Sequence, residues 1–352
     1  MNISLLAPIN TLGYGYAGYN IACGLMTGGN RVSLFPIGEK IDNSLASPLL
    51  QQMLDNAKFF DKNAPCIRIW HQDNMSHFVG RGEHIGFPIF ELDRFKEQEL
   101  HHLKSCDRLF VCSEWAKEIC RANGIEIPIN VVNLGVNREV FKPAPIKFGP
   151  TVFVNCGKWE VRKGHDILAE AFMKTFTSMN DVLLIMCPTN LFLTPQEEAA
   201  WKKKYNHPKI KIISRLPSHS DVAKMFNNAD CGVFPSRAEG WNLEALEVLS
   251  CGRQLIITDY SAHKEFCNSS NSKLITIDNT EPAQDNKWFF GQGNWAKLES
   301  SQIDQLCDHM YEVHAMKQSG KLELNKEGIA TAEKYTWEHA TQQILESLNG
   351  NT

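Results

Sequence analysis

Short apolar runs bounded by turn residues alternate with stretches whose apolar positions recur three and four apart, and this rhythm continues along the chain. Runs of the first kind read as strands of a parallel sheet covered on both faces, and those of the second as helices packed on it. The strand-like runs are ISLLAP (3–8), RVSLFPIG from 31, CIRIWH (66–71), DRLFVCS, INVVNLGVN, TVFVNCG, DVLLIMCP, IKIISRLP, CGVFPS (231–236) and QLIITD. Between them fall helical stretches: one opening after the glycines near residue 15, others over 45–60, KEQELHHLKSC and EWAKEICRANG. Ser113 and Glu114 begin the last of these as cap residues. Further helices are expected over LAEAF after Gly164, over DVAKMFNNAD, and over 243–249, where Leu243, Leu246 and Leu249 share a face. IGFPIFELDRF (85–95) reads as core, 268–294 is rich in Asn, Ser and Asp and reads as irregular, and two helices close the chain. Alternation of this kind predicts the α/β class, with two doubly wound halves. Pro143, Pro145 and Pro150 mark a linker, which sets a first domain at 1–145 and a second at 146–335.

Composition narrows the class without changing it. A chain of 352 residues with 43% hydrophobic and 22% charged residues has enough apolar material for two cores. A net charge of −4 gives no general reason to expect nucleic acid or an acidic membrane surface. Eleven cysteines without a CxxC pair read as reduced, mostly buried thiols of a cytoplasmic protein. No apolar run is long enough to span a bilayer.

The candidate chemistry sits at the turns. Gly13, Gly15 and Gly18 follow the first strand and open a helix, the layout of an anion-binding turn, although glycines also serve tight connections. His71 ends a strand, where open α/β sheets bind ligands; a hydrogen-bonding loop residue is the plainer alternative, and His77 and His84 are weaker candidates. In GKWEVRKG (157–164), Lys158 and Lys163 flank a strand-to-helix turn and can neutralise an anionic leaving group. A solvated turn would also carry such lysines. Glu239 stands at a helix entrance and Glu247 eight residues on, inside the helix. Glutamates there complement the helix dipole whatever else they do. His263 and Glu265, after QLIITD, read as surface residues.

The phrase Glu239-Gly240-Trp241-Asn242-Leu243, continuing through Leu246 and Glu247 to Cys251-Gly252 and a strand, resembles the donor-site signature of retaining GT-B glycosyltransferases of family four. Gly157, Lys158, Lys163 and Gly164 match the same family's Gly-Arg-x-x-x-x-Lys-Gly, with lysine for arginine. Asn242 stands where the family often has Gly and Glu244 where it has Pro; Asn tolerates a left-handed backbone, and Glu suits a helix start. Lys158 offers a point charge instead of a flat fork, and Arg162 is a candidate to compensate. The resemblance is densest across 151–265 and looser across 1–145.

It implies two Rossmann-like domains facing a cleft that closes over the substrates. The first would bind the acceptor and the second the donor, and the final helix (336–352) would pack back on the first. It implies transfer of a sugar, with retained configuration, from a UDP- or GDP-sugar to a hydroxyl of a glycan, lipid or small molecule. Lys158 and Lys163 would hold the diphosphate, with loop N–H groups around Gly13, Gly15, Gly240 and Trp241 assisting. Arg215 and Leu216 would lie beside the base, Glu239 would hold sugar hydroxyls, Glu247 the ribose, and His71 the transferring sugar. No Asp-x-Asp cluster stands at a strand end, so neither metal nor cofactor is expected beyond the nucleotide-sugar co-substrate. The rivals are a hydroxymethylated DNA acceptor, an epimerase or phosphorylase on the same fold, and a non-catalytic nucleotide-sugar binder.

Overall fold

A computed structural model describes residues 1–38 and 41–350. They form two compact units: one from Met1 to Gly135 joined by the segment from Tyr335, the other from Val136 to Lys334.

The first unit runs β1 (Asn2–Ala7), α1 (Gly13–Thr27), β2 (Arg31–Pro36), α2 (Pro48–Ala57), β3 (Cys66–Trp70), β4 (His84–Pro88), α3 (Glu97–Lys104), β5 (Arg108–Val111), α4 (Glu114–Ala122) and β6 (Ile129–Val131). Its sheet order is β2-β1-β3-β4-β5-β6, all parallel. Parallel strands need helical crossovers on both faces, so β1 and β3 to β5 are almost wholly buried, as continuous apolar runs require. Ser113 caps α4 by accepting from the Ala116 N–H, and the face of α4 with Ala116 and Cys120 joins Met75, Phe90, Leu103 and Leu109 in a core cluster.

The second unit contains β7 (Thr151–Gly157), α5 (His165–Phe176), β8 (Val182–Pro188), α6 (Pro195–Lys204), β9 (Ile210–Ile212), α7 (His219–Asn227), β10 (Cys231–Phe234), α8 (Leu243–Ser250), β11 (Gln254–Thr258), α9 (His263–Phe266), β12 (Lys273–Ile275), β13 (Thr280–Gln284), β14 (Phe290–Ala296), α10 (Ser300–Gln318) and α11 (Lys326–Lys334). Its main sheet, β12-β11-β10-β7-β8-β9, is again all parallel. Phe153, Phe172, Phe176 and Trp159 form its aromatic core with Leu306, Met310 and Val313 of α10. The proline-bearing stretch after Val136 packs within this unit, where Ser250 Oγ donates to the Phe141 carbonyl at 2.6 Å.

α12 (Trp337–Leu348) belongs to the first unit. Gly135 lets it approach, since a Cβ there would stand 2.2 Å from the Trp337 nitrogen. The Asn133 N–H donates to Gln343 at 2.9 Å, and Gln343 returns a bond to the Asn133 side chain at 3.1 Å.

Two expectations for the C-terminal third need correction. Residues 268–294 are not irregular: β13 and β14 pair antiparallel as a hairpin. Polar residues such as Thr280 and Glu281 hide the strand pattern, while Trp295 is buried and Arg237 lies over its ring at 5.9 Å. Three helices, not two, close the chain, because Asn325 starts a separate α11 by accepting from the Gly328 N–H at 2.8 Å.

Candidate active site

Open α/β sheets bind ligands beyond the carboxyl ends of their strands, where the strand order reverses direction. In the second unit that point lies between β7 and β10, and the candidate residues after both strands meet there.

The turn after β7 carries Lys158, Glu160, Arg162 and Lys163 and ends at Gly164. Gly164 has φ +69°, and a Cβ there would meet the Pro235 carbonyl oxygen at 2.0 Å. Only glycine lets this turn lie against the segment leaving β10. The same contact brings Glu239 among the cations. Its Oε2 accepts from Arg162 Nη1 at 2.7 Å, and its Oε1 lies 2.7 Å from Lys163 Nζ. Arg162 Nη2 reaches Glu160 at 2.8 Å, and Glu160 lies 3.8 Å from Lys158 Nζ. The result is a ladder of alternating charge, Lys158–Glu160–Arg162–Glu239–Lys163, with three cations and two carboxylates. Its middle members are buried, while the Lys158 side chain is 41% exposed.

Burial opposes ionisation of Glu239, but the charges of Arg162 and Lys163, followed by His263, outweigh it and hold the carboxyl well below its ordinary range. Burial likewise works against the Lys163 ammonium, yet Glu239 and Glu244 raise its pKa. Glu247 is the opposite case. Burial, reinforced by Glu244, pushes its pKa well above 4.5, and no cation pairs with it among the described residues.

Asn242 carries the helix entrance in the left-handed region, at φ 86° and ψ 76°. Its side-chain oxygen accepts from the Ala245 N–H at 3.2 Å, and its amide nitrogen donates to His263 Nε2 at 2.9 Å. His263 Nδ1 in turn donates to the Thr258 carbonyl at 2.9 Å. Burial lowers the His263 pKa to about 4, so a neutral ring with one donor and one acceptor nitrogen fits both bonds. His263 is therefore buried in the site's wall and not on the surface as its sequence position suggests. Ser261 completes the wall, its Oγ accepting from the Glu239 N–H at 2.9 Å.

Arg162 does not point outward to replace a missing arginine at Lys158; it turns inward onto two carboxylates. Gly240, Trp241 and Asn242 are buried beside Glu239, and Leu243 is half-buried. Arg215 and Leu216 follow β9, exposed and half-buried respectively. Ser261, His263, Arg162 and Glu160 are the site residues that sequence reasoning missed or misread. Positions after β11 could have been flagged, since that strand neighbours β10 in a parallel run.

The first unit has its own switch point, between β1 and β3. Gly13 opens α1 there with free space around its α-carbon, whereas Gly15 is pressed against Asn10. The exposed His71 follows β3, its ring 4.6 Å from that of Tyr14 and 4.9 Å from that of Trp70. His84 is buried against Phe78, while His77 is exposed. Among the described residues no group of three or more His, Cys, Asp or Glu could hold a metal, and no helix is long and apolar enough to cross a membrane.

The two parallel, doubly wound units give the chain the GT-B fold. Residues 150–285 match the family model described as glycosyl transferases group 1, a span that contains the whole charge ladder. The fold is similar to sucrose-phosphate synthase from Thermosynechococcus elongatus, at 14% identity and TM-score 0.70, over 99% of this chain and 98% of that one. HepE from Anabaena, solved with UDP-glucose, is 14% identical with TM-score 0.72, over 99% of both chains. A glycosyltransferase from Rickettsia africae is 15% identical with TM-score 0.69, over 99% of both. No curated protein matches the chain by sequence.

Proposed function

We propose that the protein moves a sugar from a nucleotide diphosphate sugar, UDP- or GDP-linked, to an acceptor hydroxyl with retained anomeric configuration and without a metal. The observation that carries the reading is the charge ladder at the switch point of the second unit. Three cations against two carboxylates leave one positive charge for an anionic ligand, and the half-exposed Lys158 makes the ladder accessible. A diphosphate takes Lys158 and Lys163, which supply the leaving-group stabilisation that a metal gives elsewhere. The buried carboxyl of Glu247, without a cation, is suited to ribose hydroxyls. Loop N–H groups by Gly240 and Trp241 assist the phosphates, and Arg215 and Leu216 border the base.

In the transfer, the bond from the anomeric carbon to the diphosphate oxygen breaks and its electron pair leaves with the diphosphate. The acceptor oxygen bonds to that carbon from the same face, and its proton passes to the departing phosphate. Arg162 stays on Glu239 Oε2 when the diphosphate takes Lys163, which keeps the carboxylate weakly basic and favours this route over a glycosyl-enzyme intermediate. Glu239 instead orients sugar hydroxyls. His71, at the switch point of the first unit, is suited to a polar contact with sugar or acceptor.

UDP is the first donor nucleotide to try, because the similar HepE was solved with UDP-glucose. For the acceptor, a glycan, lipid or small molecule is preferred over modified DNA, given the net charge of −4. The test is thermal shift against UDP, UDP-glucose, GDP and GDP-mannose, with and without EDTA, in the wild type and in Lys158→Ala. Stabilisation by one nucleotide pair that survives EDTA and shrinks in the variant supports the reading by linkage. No shift with any of the four refutes it.

A further inference from the structure

We propose that Arg162 is a positioning residue for sugar recognition, holding Glu239 ionised and aimed while Lys163 exchanges its carboxylate partner for the donor diphosphate. The proposal rests on the donor-site reading above and adds a residue and a coupling to it.

Arg162 sits in a turn, where an arginine is ordinarily solvated, yet it is only 5% exposed. Burying a guanidinium is costly unless its hydrogen bonds are met. Here both Nη1 bonds converge on one segment, residues 238–239. Nη1 donates both to the Glu239 carboxylate and to the Ala238 carbonyl, each at 2.7 Å, so the side chain of Glu239 and the peptide before it are fixed together. Nη2 is braced by Glu160 at 2.8 Å. The backbone closes the same loop, since the Arg162 carbonyl accepts from the Arg237 N–H at 2.7 Å.

The two oxygens of Glu239 therefore have different fates. Oε2 lies on Arg162, which has no route to a phosphate while Glu160 and Ala238 hold it. Oε1 lies on Lys163, the cation that a diphosphate would draw away. Capture of the diphosphate releases Oε1 to accept from a sugar hydroxyl, and Arg162 keeps the carboxylate charged and in place. Without Arg162 the carboxylate would follow the lysine or take up a proton. Sugar recognition would then fail while diphosphate recognition persisted.

Calorimetric binding of UDP and UDP-glucose, then of GDP and GDP-mannose, to the wild type, Arg162→Ala, Arg162→Lys, Glu160→Gln, Glu239→Gln and Arg162→Ala/Glu239→Gln separates the two effects. The expected result is a loss of about tenfold or more in affinity for the nucleotide sugar in Arg162→Ala, the size of one charged hydrogen bond, with the bare diphosphate within about twofold. Arg162→Lys should recover part of that loss, and the double variant should bind no worse than Glu239→Gln. Arg162→Ala should also lose its preference for sugar over bare diphosphate at a higher pH than the wild type, as Glu239 protonates earlier. Should Arg162→Ala fail to fold, Glu160→Gln must show the same selective loss in smaller measure. Equal losses for diphosphate and nucleotide sugar, or additive losses in the double variant, overturn the proposal. A wild type that binds none of the four ligands overturns the donor reading itself, and this proposal with it.

Discussion

Glu239 and Glu247 lie on the same loop and helix, both nearly sealed from solvent, and the same change to glutamine should move stability in opposite directions. Glu239 stands between Arg162 and Lys163 at 2.7 Å from each. Glutamine there leaves two buried cations with Glu160 as the one carboxylate remaining in the ladder. Breaking a buried ion pair from one side costs about 3–5 kcal/mol. With a urea dependence of about 2–3 kcal/mol/M, the midpoint should fall by about 1–2.5 M. Glu247 has no cation, and its raised pKa means that the folded state binds its proton more tightly than the unfolded state does. Stability from that group is complete below its ordinary value of 4.5 and declines as pH rises through the folded pKa. Glu247→Gln should therefore be stabilising at pH 8, with a smaller gain at pH 5. For Glu239 the sign reverses. Its depressed pKa gives stability that is complete above the ordinary 4.5 and disappears as pH falls toward the folded value. Urea unfolding followed by tryptophan fluorescence reports on this unit through the buried Trp159, Trp241 and Trp295. A neutral Glu239→Gln, or a Glu247→Gln gain that shrinks from pH 5 to pH 8, would refute the electrostatic account.

Other consequences are checked by the same unfolding assay. Gly164→Ala forces a Cβ to 2.0 Å from the Pro235 oxygen at φ +69°, so a loss of at least about 1–3 kcal/mol is expected, and normal stability would mean that the turn does not lie against β10. Asn242→Gly keeps the left-handed backbone and should be milder than Asn242→Ala, which loses a cap worth about 1 kcal/mol and also strains the φ of 86°. The reverse order would contradict the geometry. Leu246→Ala removes a fully buried side chain from α8 and should cost about 2–5 kcal/mol; a much smaller cost would mean the helix packs loosely.

The alternation of apolar runs and amphipathic stretches was enough to read ten of the twelve strands of the parallel sheets, because strands covered on two faces need unbroken apolar sequence; β4 was read only as core, and the short β12 lies in the stretch read as irregular. The same logic hid the β13–β14 hairpin, which lies off the main sheet and exposes polar residues such as Thr280. Glycine and asparagine positions were legible for a related reason: left-handed backbone narrows the choice of residue, and Asn242 occupies that region. Side-chain partnerships were not legible. Arg162 and Glu239 are 77 positions apart, and contacts between the Gly164 turn and the segment after β10 bring them together. His263 looked like a loop histidine because nothing local indicates that Asn242 and Thr258 enclose it.

The most direct measurement is a crystal structure with the nucleoside diphosphate that gives the largest thermal shift. Both phosphates should lie at the carboxyl ends of β7 and β10, with Lys158 and Lys163 ammonium groups in hydrogen-bonding distance and Arg162 still on Glu239. Phosphates bound away from that turn, or Lys163 still on Glu239 with the diphosphate held elsewhere, would contradict the donor-site reading.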